Sequence, residues 1–399
     1  MKEVLLNDIC ELIVDCPHST AVDEGKGYPL VRTPNIGKGR LIYQGMHRVS
    51  EDVYLQRNKR ATPQEDDLIF AREATAGNVA LIQRGEKVCL GQRTVLIRPN
   101  KSIVNPAFLT YYLLAPKQQY NLLSTANGAT VAHVNLPTIR NLKLELPELD
   151  VQRRIAEVLS RYDALIENYQ RQIKLLEEAA QRLYKEWFVD LRFPGHQSTP
   201  IINNLPQSWQ KKKLGEIVKT TSGGTPSRGK PEYYTGDILW VKTKELNDSF
   251  ILDTEEKISI EAINKSSAKI LPSGSVLLAM YGATIGKLGI ASKKMACNQA
   301  CCVFLFDDND VFRWFLYNWL IINRSFLISQ GKGAAQPNLS QDMIKNFETI
   351  IPDTPLLEKY HRMVTPLYDR IMNNQAQIRN LSEARDRLLP KLMSAEIEV

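Results

Sequence analysis

Three groups of residues have the types and rough spacing that chemistry requires. Gly282-Ala283-Thr284-Ile285-Gly286-Lys287 approaches a loop that cradles phosphate with its backbone amides and lysine. Only three residues separate its glycines where four are needed, and Leu288 stands where the Mg-binding hydroxyl belongs. Pro352-Asp353 followed by Glu358-Lys359 approaches a metal-dependent nuclease core. It lacks the single-residue gap between acid and lysine, and Asp353 reads more simply as the favourable charge at a helix N-terminus. Cys10, Cys16 and His18 offer three metal ligands without a fourth, while Cys297, Cys301 and Cys302 match no zinc spacing and alternate with apolar residues, as core thiols do. The five histidines are scattered without a Ser or Cys partner. A Gly-rich dinucleotide fingerprint and an Asn-Pro-Pro-Tyr-like tetrapeptide are both missing. The expectation is a chain that is non-catalytic by itself, with no metal and no directly bound cofactor.

If the chain does not catalyse, its charge must be read for binding. The 399 residues are enough for two or three domains, each with its own core. No apolar run approaches the ~18 residues of a membrane span, and Met1 to Leu6 is no signal peptide. Six irregularly spaced cysteines suit reduced thiols and a cytoplasmic setting. The net charge of +7 is unevenly placed. Residues 1–148 hold 18 basic and 15 acidic side chains, and residues 200–350 hold 18 and 14. Residues 149–199 balance at 8 and 8, and residues 351–399 at 7 and 7. The basic excess therefore sits in two segments, where it is compatible with contacts to a phosphate backbone.

Those two segments repeat one plan. Leu6 to Ile9 and Leu214 to Ile217 each open a strand-like stretch. Val31-Arg32-Thr33 and Val241-Lys242-Thr243 follow, each running on to a strand-like Leu41-Ile42-Tyr43 or Phe250-Ile251-Leu252. Asp67 to Ala71 and Ser275 to Ala279 read as buried hairpin strands, with Gly-containing turns at Ala74 to Gly77 and Ala283 to Gly286. Gly128-Ala129 with Asn135-Leu136 matches Gly333-Ala334 with Asn338-Leu339, and a helical patch spans Pro106 to Leu114. The expected fold is α+β, with two similar globular domains and an approximate internal two-fold.

Each half ends in a long heptad. Ile155, Leu159, Tyr162, Ile166, Tyr169, Ile173, Leu176, Ala180, Leu183 and Trp187 form the first stripe. Tyr360, Val364, Leu367, Ile371, Asn374, Ile378, Leu381, Arg385, Leu388 and Leu392 repeat it 205 positions later. A 3.5-residue period packs as a coiled coil, and antiparallel pairing of the two helices suits a two-fold duplication. The first helix is expected from about Asp150 to Val189, bracketed by Pro147 and Pro194. Its stripe would extend ~50 Å at ~1.5 Å per residue, against ~34 Å for a turn of DNA. Pro366 should kink the second helix or mark where its regular part begins, and Asn374 and Arg385 are polar intrusions into the seam. Val158, Leu165, Leu175, Ala179, Leu356, Leu357, Met363 and Met372 widen the stripes beyond a dimer seam. Trp187, Phe188, Leu392 and Met393 read either as contacts for partner subunits or as burial at the helix ends.

Leu146-Pro147-Glu148-Leu149, Gln152-Arg153-Arg154-Ile155-Ala156 and Leu183-Tyr184-Lys185-Glu186-Trp187-Phe188-Val189-Asp190 mark the first domain junction. With Leu205-Pro206, Trp209, Ser222-Gly223-Gly224-Thr225-Pro226-Ser227, Gln336-Pro337-Asn338-Leu339 and Leu388 to Glu396, they make nearly the whole chain resemble the specificity subunit of type I restriction–modification enzymes. The resemblance implies two target-recognition domains, residues 1–147 and 194–350, and two spacer helices, residues 148–193 and 351–399. It implies a split double-stranded DNA site, one half per domain. It also implies two methylation subunits using S-adenosylmethionine to modify adenine, and restriction and translocation subunits that use ATP and Mg to cleave unmodified DNA.

Base and phosphate contacts need Arg, Lys and hydrogen-bonding side chains on loops and strand ends. Arg32, Thr33, Asn35, Lys38, Arg40, Arg72 and Arg93 are the candidates in the first domain. Arg228, Lys230, Lys242, Thr243, Lys244, Tyr281 and Lys287 are those in the second. The triplets around Arg32 and Lys242 occur in both halves, which favours a shared structural or phosphate role over base reading. Two competing readings are a free-standing DNA-modifying enzyme with an unrecognised site and a coiled-coil scaffold without nucleic acid. The missing cofactor motifs weigh against the first, and the charge placement weighs against the second.

Overall fold

Runs of β-branched and aliphatic residues, broken by Gly, Asn and Asp turns, form the strands of a computed structural model that describes residues 2–124, 133–307, 309–331 and 338–399. Gly128-Ala129, Gly333-Ala334 and Gln336-Pro337 lie outside the described residues. The chain divides into two units, Met1–Glu167 with Asn380–Val399, and Asn168–Arg379.

In the first unit the strands are β1 (Lys2–Leu5), β2 (Cys10–Asp15), β3 (Tyr28–Val31), β4 (His47–Val49), β5 (Leu68–Ala71), β6 (Val79–Leu81), β7 (Cys89–Leu90), β8 (Thr94–Pro99) and β9 (Lys143–Leu146). The main sheet has the order β2-β8-β5-β6, a smaller one β4-β3-β7, and β1 pairs with β9. Strand β5 shows why alternation matters. Leu68 and Phe70 face one core with Ile97, Phe108 and Leu159, while Ile69 and Ala71 face a second with Val31, Ile36 and Val88.

The second unit contains a short hairpin, β10 (Ile201–Ile202) with β11 (Leu205–Pro206), and then repeats the plan. Its strands are β12 (Gln210–Lys213), β13 (Lys219–Ser222), β14 (Ile238–Val241), β15 (Ser249–Ile251), β16 (Lys257–Ile258), β17 (Val276–Ala279), β18 (Leu288–Ala291), β19 (Ala296–Cys297), β20 (Cys301–Leu305) and β21 (Glu348–Ile351). The orders β13-β20-β17-β18-β15, β16-β14-β19 and β12-β21 match those of the first unit strand for strand. The added β15 lies parallel to β18, where the first unit has a single parallel bridge between Gly39 and Ala80. Val276 and Leu278 face one core, Leu277 and Ala279 the other.

Local details depart from the strand expectations. Leu6–Ile9 is a 3-10 turn and Leu214–Ile217 a single helical turn. Spacing of three puts both apolar residues on one side of a helical turn, and Leu6, Ile9 and Leu214 are fully or almost fully buried. Leu41-Ile42-Tyr43 forms no strand: only Leu41 bridges, to Ile36, and Ile42 and Tyr43 are exposed. Pro106–Leu114 is a helix, capped by Asn105 Oδ1 accepting from the Phe108 amide at 2.9 Å.

The first long helix runs Leu149–Tyr184 and continues as one wider turn, Lys185–Val189. The second runs Thr354–Met393, its start capped by Asp353 Oδ1 accepting from Leu356 N at 3.0 Å. It begins well before Pro366 and passes through it. Pro366 and Arg362 both lie on the exposed side, where water can satisfy the carbonyl that proline leaves unpaired. Every position of both heptad stripes is buried or half-buried. Within the first unit Asp163 meets Arg385, and within the second Gln172 meets Asn374 and Tyr184 meets Tyr360. The first helix ascends as the second descends, so the two run antiparallel in each unit.

Candidate nucleic-acid interface

The repeated triplets turn out to be the same device. After β3, the Arg32 amide donates to Asn35 Oδ1 at 3.2 Å and the Asn35 amide returns a bond to the Arg32 carbonyl at 2.8 Å. After β14, the Lys242 amide donates to Glu245 Oε2 at 2.7 Å and the Glu245 amide to the Lys242 carbonyl at 2.9 Å. Each closes a single 3-10 turn. Asn35, 2% exposed, also donates to the Ile42 carbonyl at 3.1 Å, and Arg32 Nη2 to the Gly45 carbonyl at 3.1 Å. The buried Thr33 accepts through its carbonyl from Thr75 Oγ1 at 2.8 Å, which ties this loop to the Ala74–Gly77 turn. Lys38 is exposed beyond it, and Arg40 is half-buried with Nη1 on the Gly39 carbonyl at 3.3 Å. Thr243 is half-buried, its carbonyl accepting from Leu246 N at 3.2 Å.

At one end of the first main sheet a chain of polar groups converges. Arg72 is held by Asp15 Oδ2 at 2.8 Å, by the Val134 carbonyl at 2.9 Å and by His133 Nε2 at 2.9 Å. His133 Nδ1 meets Glu73 Oε1 at 2.6 Å, and Glu73 also pairs with Arg93. Arg93 remains 62% exposed along its side chain, whereas Arg72 is 11% exposed. Of the two, Arg93 keeps its charge at the surface, and Arg72 braces the fold.

The second unit builds its basic surface differently. Gly223 and Gly224 press against other backbone: a Cβ would come 2.0 Å from the Cys297 carbonyl oxygen at the first and 2.4 Å from the Ser267 carbonyl carbon at the second. Trp240 Nε1 donates to the Gly224 carbonyl at 3.0 Å and Tyr234 Oη to the Pro226 carbonyl at 2.7 Å. The loop so fastened presents Arg228, whose guanidinium lies 4.3 Å from the centre of the Tyr234 ring and 5.2 Å from that of Trp240. Lys230 Nζ donates to Tyr233 Oη at 3.2 Å. Arg228, Lys242 and Lys244 converge on Glu256 and Glu255, at 2.7 Å for Arg228–Glu256 and 2.5 Å for Lys244–Glu255. Lys242 reaches both, at 2.7 and 3.0 Å. The bonds from Lys244 and Lys242 hold the Glu255 carboxyl down to about 2.

Lys287 pairs with Asp248 at 2.7 Å. Arg324 pairs with Asp248 too, and also donates from Nε to the Gly286 carbonyl at 2.9 Å. Asp248 Oδ1 accepts from Leu288 N at 3.0 Å. Asp248 thus fixes the base of the turn that exposes Tyr281. The candidates therefore fall into local groups within each unit, and six of them, Arg72, Arg93, Arg228, Lys242, Lys244 and Lys287, are matched by acids that reading the sequence for bases passed over: Asp15, Glu73, Asp248, Glu255 and Glu256. The Tyr233-Tyr234 pair and Trp240 were passed over too, as was the exposed run Lys211–Lys213 on β12, although three successive lysines were a visible signal.

Trp187 and Phe188 pack with Tyr360 at 6.0 and 4.9 Å between ring centres, inside the second unit. Leu392 is 2% exposed in the first unit's core, with Met393 packed beside it. Leu165, Leu175, Ala179 and Met363 are the flanking apolar residues that stay exposed, whereas Leu356 and Leu357 are buried. The six cysteines are free, and burial pushes Cys10 and Cys302 up to about 12. Among the described residues no group of three His, Cys, Asp or Glu could hold a metal, and no helix is long and apolar enough to cross a membrane.

Two copies of one α+β unit, each bearing basic loops and packed on an antiparallel helix pair, define a duplicated recognition protein. The model of the type I restriction–modification DNA specificity domain matches twice, over residues 1–178 and 206–381, and the chain belongs to that family. It is 27% identical to the type I restriction enzyme MjaIX specificity subunit of Methanocaldococcus jannaschii, over 99% of this chain and 93% of the relative. To the HindI specificity subunit of Haemophilus influenzae it is 23% identical, over 76% and 80%. The crystal structure of a type I restriction–modification S subunit from M. genitalium superposes with a TM-score of 0.61 at 14% identity, covering 98% of this chain and 95% of that one. That likeness supports the α+β fold with its long helices.

Proposed function

We propose that this chain is the DNA-reading subunit of a type I restriction–modification enzyme, each unit reading one half of a split double-stranded site. The observation that carries this reading is the repetition of one topology, with the basic excess confined to the globular segments, in a chain of the specificity family. Arg93, Lys38, Arg228, Lys230 and Lys244 are the side chains best exposed to take phosphates. Tyr281 and the loop tips between them meet base edges. The helix pair acts as a coiled-coil spacer for the unread bases between the half-sites.

Catalysis belongs to partners in this proposal. Two methylation subunits bring S-adenosylmethionine and modify adenine. Restriction and translocation subunits bring ATP and Mg and cleave unmodified DNA, a defence against phage in the cytoplasm. The test is to purify the chain with and without its methylation partner and to map modified adenines on genomic DNA. A bipartite motif is expected only with the partner present. No modification with it would overturn the proposal, as would DNA affinity that does not fall with salt.

A further inference from the structure

One buried polar group in the helix pair has no counterpart in the other half. In the first unit Arg385 Nη1 donates to Asp163 Oδ1 at 2.6 Å, and Tyr111 Oη donates to Asp163 Oδ2 at 2.5 Å. The two charged side chains are 18% and 8% exposed. Ser160 Oγ lies 3.4 Å from the tyrosine oxygen, and Asp386 holds the outer edge of the guanidinium at 2.9 Å.

The 205-residue offset of the helices sets Tyr368 at the place of Asp163 and Ala180 at that of Arg385, and Tyr317, packed on Tyr368, takes the place that Tyr111 has on Asp163. In the second unit these three share one apolar cluster, with Tyr368 3% and Ala180 0% exposed and the Tyr317 and Tyr368 rings 5.5 Å apart. The place that is ionic in one unit is aromatic in the other.

We propose that the Asp163–Arg385 pair selects which helices associate, making a first long helix pair with a second long helix and not with another first helix. The apolar positions that the stripes share, Ile173 and Ile378, Leu176 and Leu381, and Leu183 and Leu388, cannot supply this choice, because the duplication makes them interchangeable. In a like-with-like pairing of first helices, Asp163 meets Ala180 and keeps only Tyr111. In one of second helices, Arg385 enters the cluster around Tyr368 with only the exposed Asp386 of its own helix beside it, and no acid from the facing helix. A buried ion pair adds little net stability over a well-packed apolar replacement, yet losing one partner is strongly unfavourable, so its contribution is to specificity. If each unit reads one half-site, as proposed above, the pair also keeps the recognised site asymmetric.

The test uses two full-length copies with different affinity tags, co-expressed and purified over both tags in turn. Asp163→Arg on one copy and Arg385→Asp on the other leave like charges facing within each chain and opposite charges facing between chains. Mixed-tag complexes about tenfold or more above those of two wild-type copies are expected. A second experiment puts Asp163→Leu with Arg385→Ala on both copies, which removes the selector without an orphan charge. Increased mixed-tag recovery is expected there too, with helical circular dichroism unchanged. Mixed-tag recovery at the wild-type level in the complementary-charge experiment overturns the proposal, whatever the folding of either chain alone.

Discussion

The backbone amide of Lys242 donates to the Glu245 carboxylate at 2.7 Å, the same bond that joins Arg32 to Asn35 in the other half. The recurrence of a basic residue followed by a hydroxyl therefore reflects a turn that must close after a buried strand. Glu245 Oε1 also accepts from the Glu255 amide at 2.7 Å, so this one side chain fastens two loops. Glu245→Ala is expected to destabilise the protein by about 1–2 kcal/mol, from a lost cap and a lost charged hydrogen bond. Urea unfolding followed by tryptophan fluorescence measures it, and Glu245→Gln should retain most of the stability.

Glu177, on the first long helix, has its carboxyl pushed up to about 7 by burial, with the Asp248 charge adding to it. Its folded-state value lies above the unfolded one, so between about 4.5 and 7 the folded chain holds a proton that the unfolded chain has released. Its contribution to stability consequently falls as pH rises through that window and is least favourable above it. Glu177→Gln should stabilise the protein at pH 8 by about 1–2 kcal/mol after allowance for solvent screening, and by little at pH 4. Thermal melts across that range decide the matter; equal shifts at both ends would contradict it.

Asp248 joins three segments: Lys287 and Leu288 after the turn, Arg324 on the helix behind it, and Tyr317, whose hydroxyl donates to the Asp248 carbonyl at 2.8 Å. Asp248→Asn keeps the shape but withdraws the charge that two cations share. A loss of about 1–3 kcal/mol is expected, as for a hydrogen bond to a charged group. Limited trypsin digestion should cut after Lys287 faster in the variant than in the wild type.

Exposed and buried cations should separate in DNA-binding experiments. Arg228→Ala and Lys244→Ala are expected to weaken binding across sequences and to reduce the slope of log affinity against log salt by about 1 each. Arg72→Ala should instead lower thermal stability, because it leaves Asp15 without the guanidinium that pairs with it and the Val134 carbonyl without its donor. Fluorescence anisotropy over a salt series, read beside melting curves, distinguishes the two kinds of residue.

How much of this was legible depended on how local each cause is. Asp67 to Ala71 and Ser275 to Ala279 declared themselves as strands because buried β-structure needs continuous apolar residues, whichever face each one meets. Pro106 to Leu114 carried its own cap. Leu6 to Ile9 misled because an apolar pair three residues apart serves a helical turn as well as a strand. Pro366 misled as a starting point for regular helix: the helix begins at Thr354 and runs through it, with the proline facing outward where water can reach the carbonyl it leaves unpaired. The acid partners of the basic candidates were hidden by distance along the chain: Asp15 is 57 residues from Arg72, and Asp248 is 39 from Lys287.

The sequence by itself determined the duplication, the two heptads, and the segregation of basic charge into the globular segments, because composition and periodicity act along the chain. Only the tertiary structure decided which of those charges are exposed and which are bound by acids. It alone set Asp163 against Arg385 in one unit and left their counterparts, Tyr368 and Ala180, in an apolar cluster in the other. Burial and pairing are properties of segments that meet in space, and a charge buried with its partner and one left in water carry the same letter in the sequence.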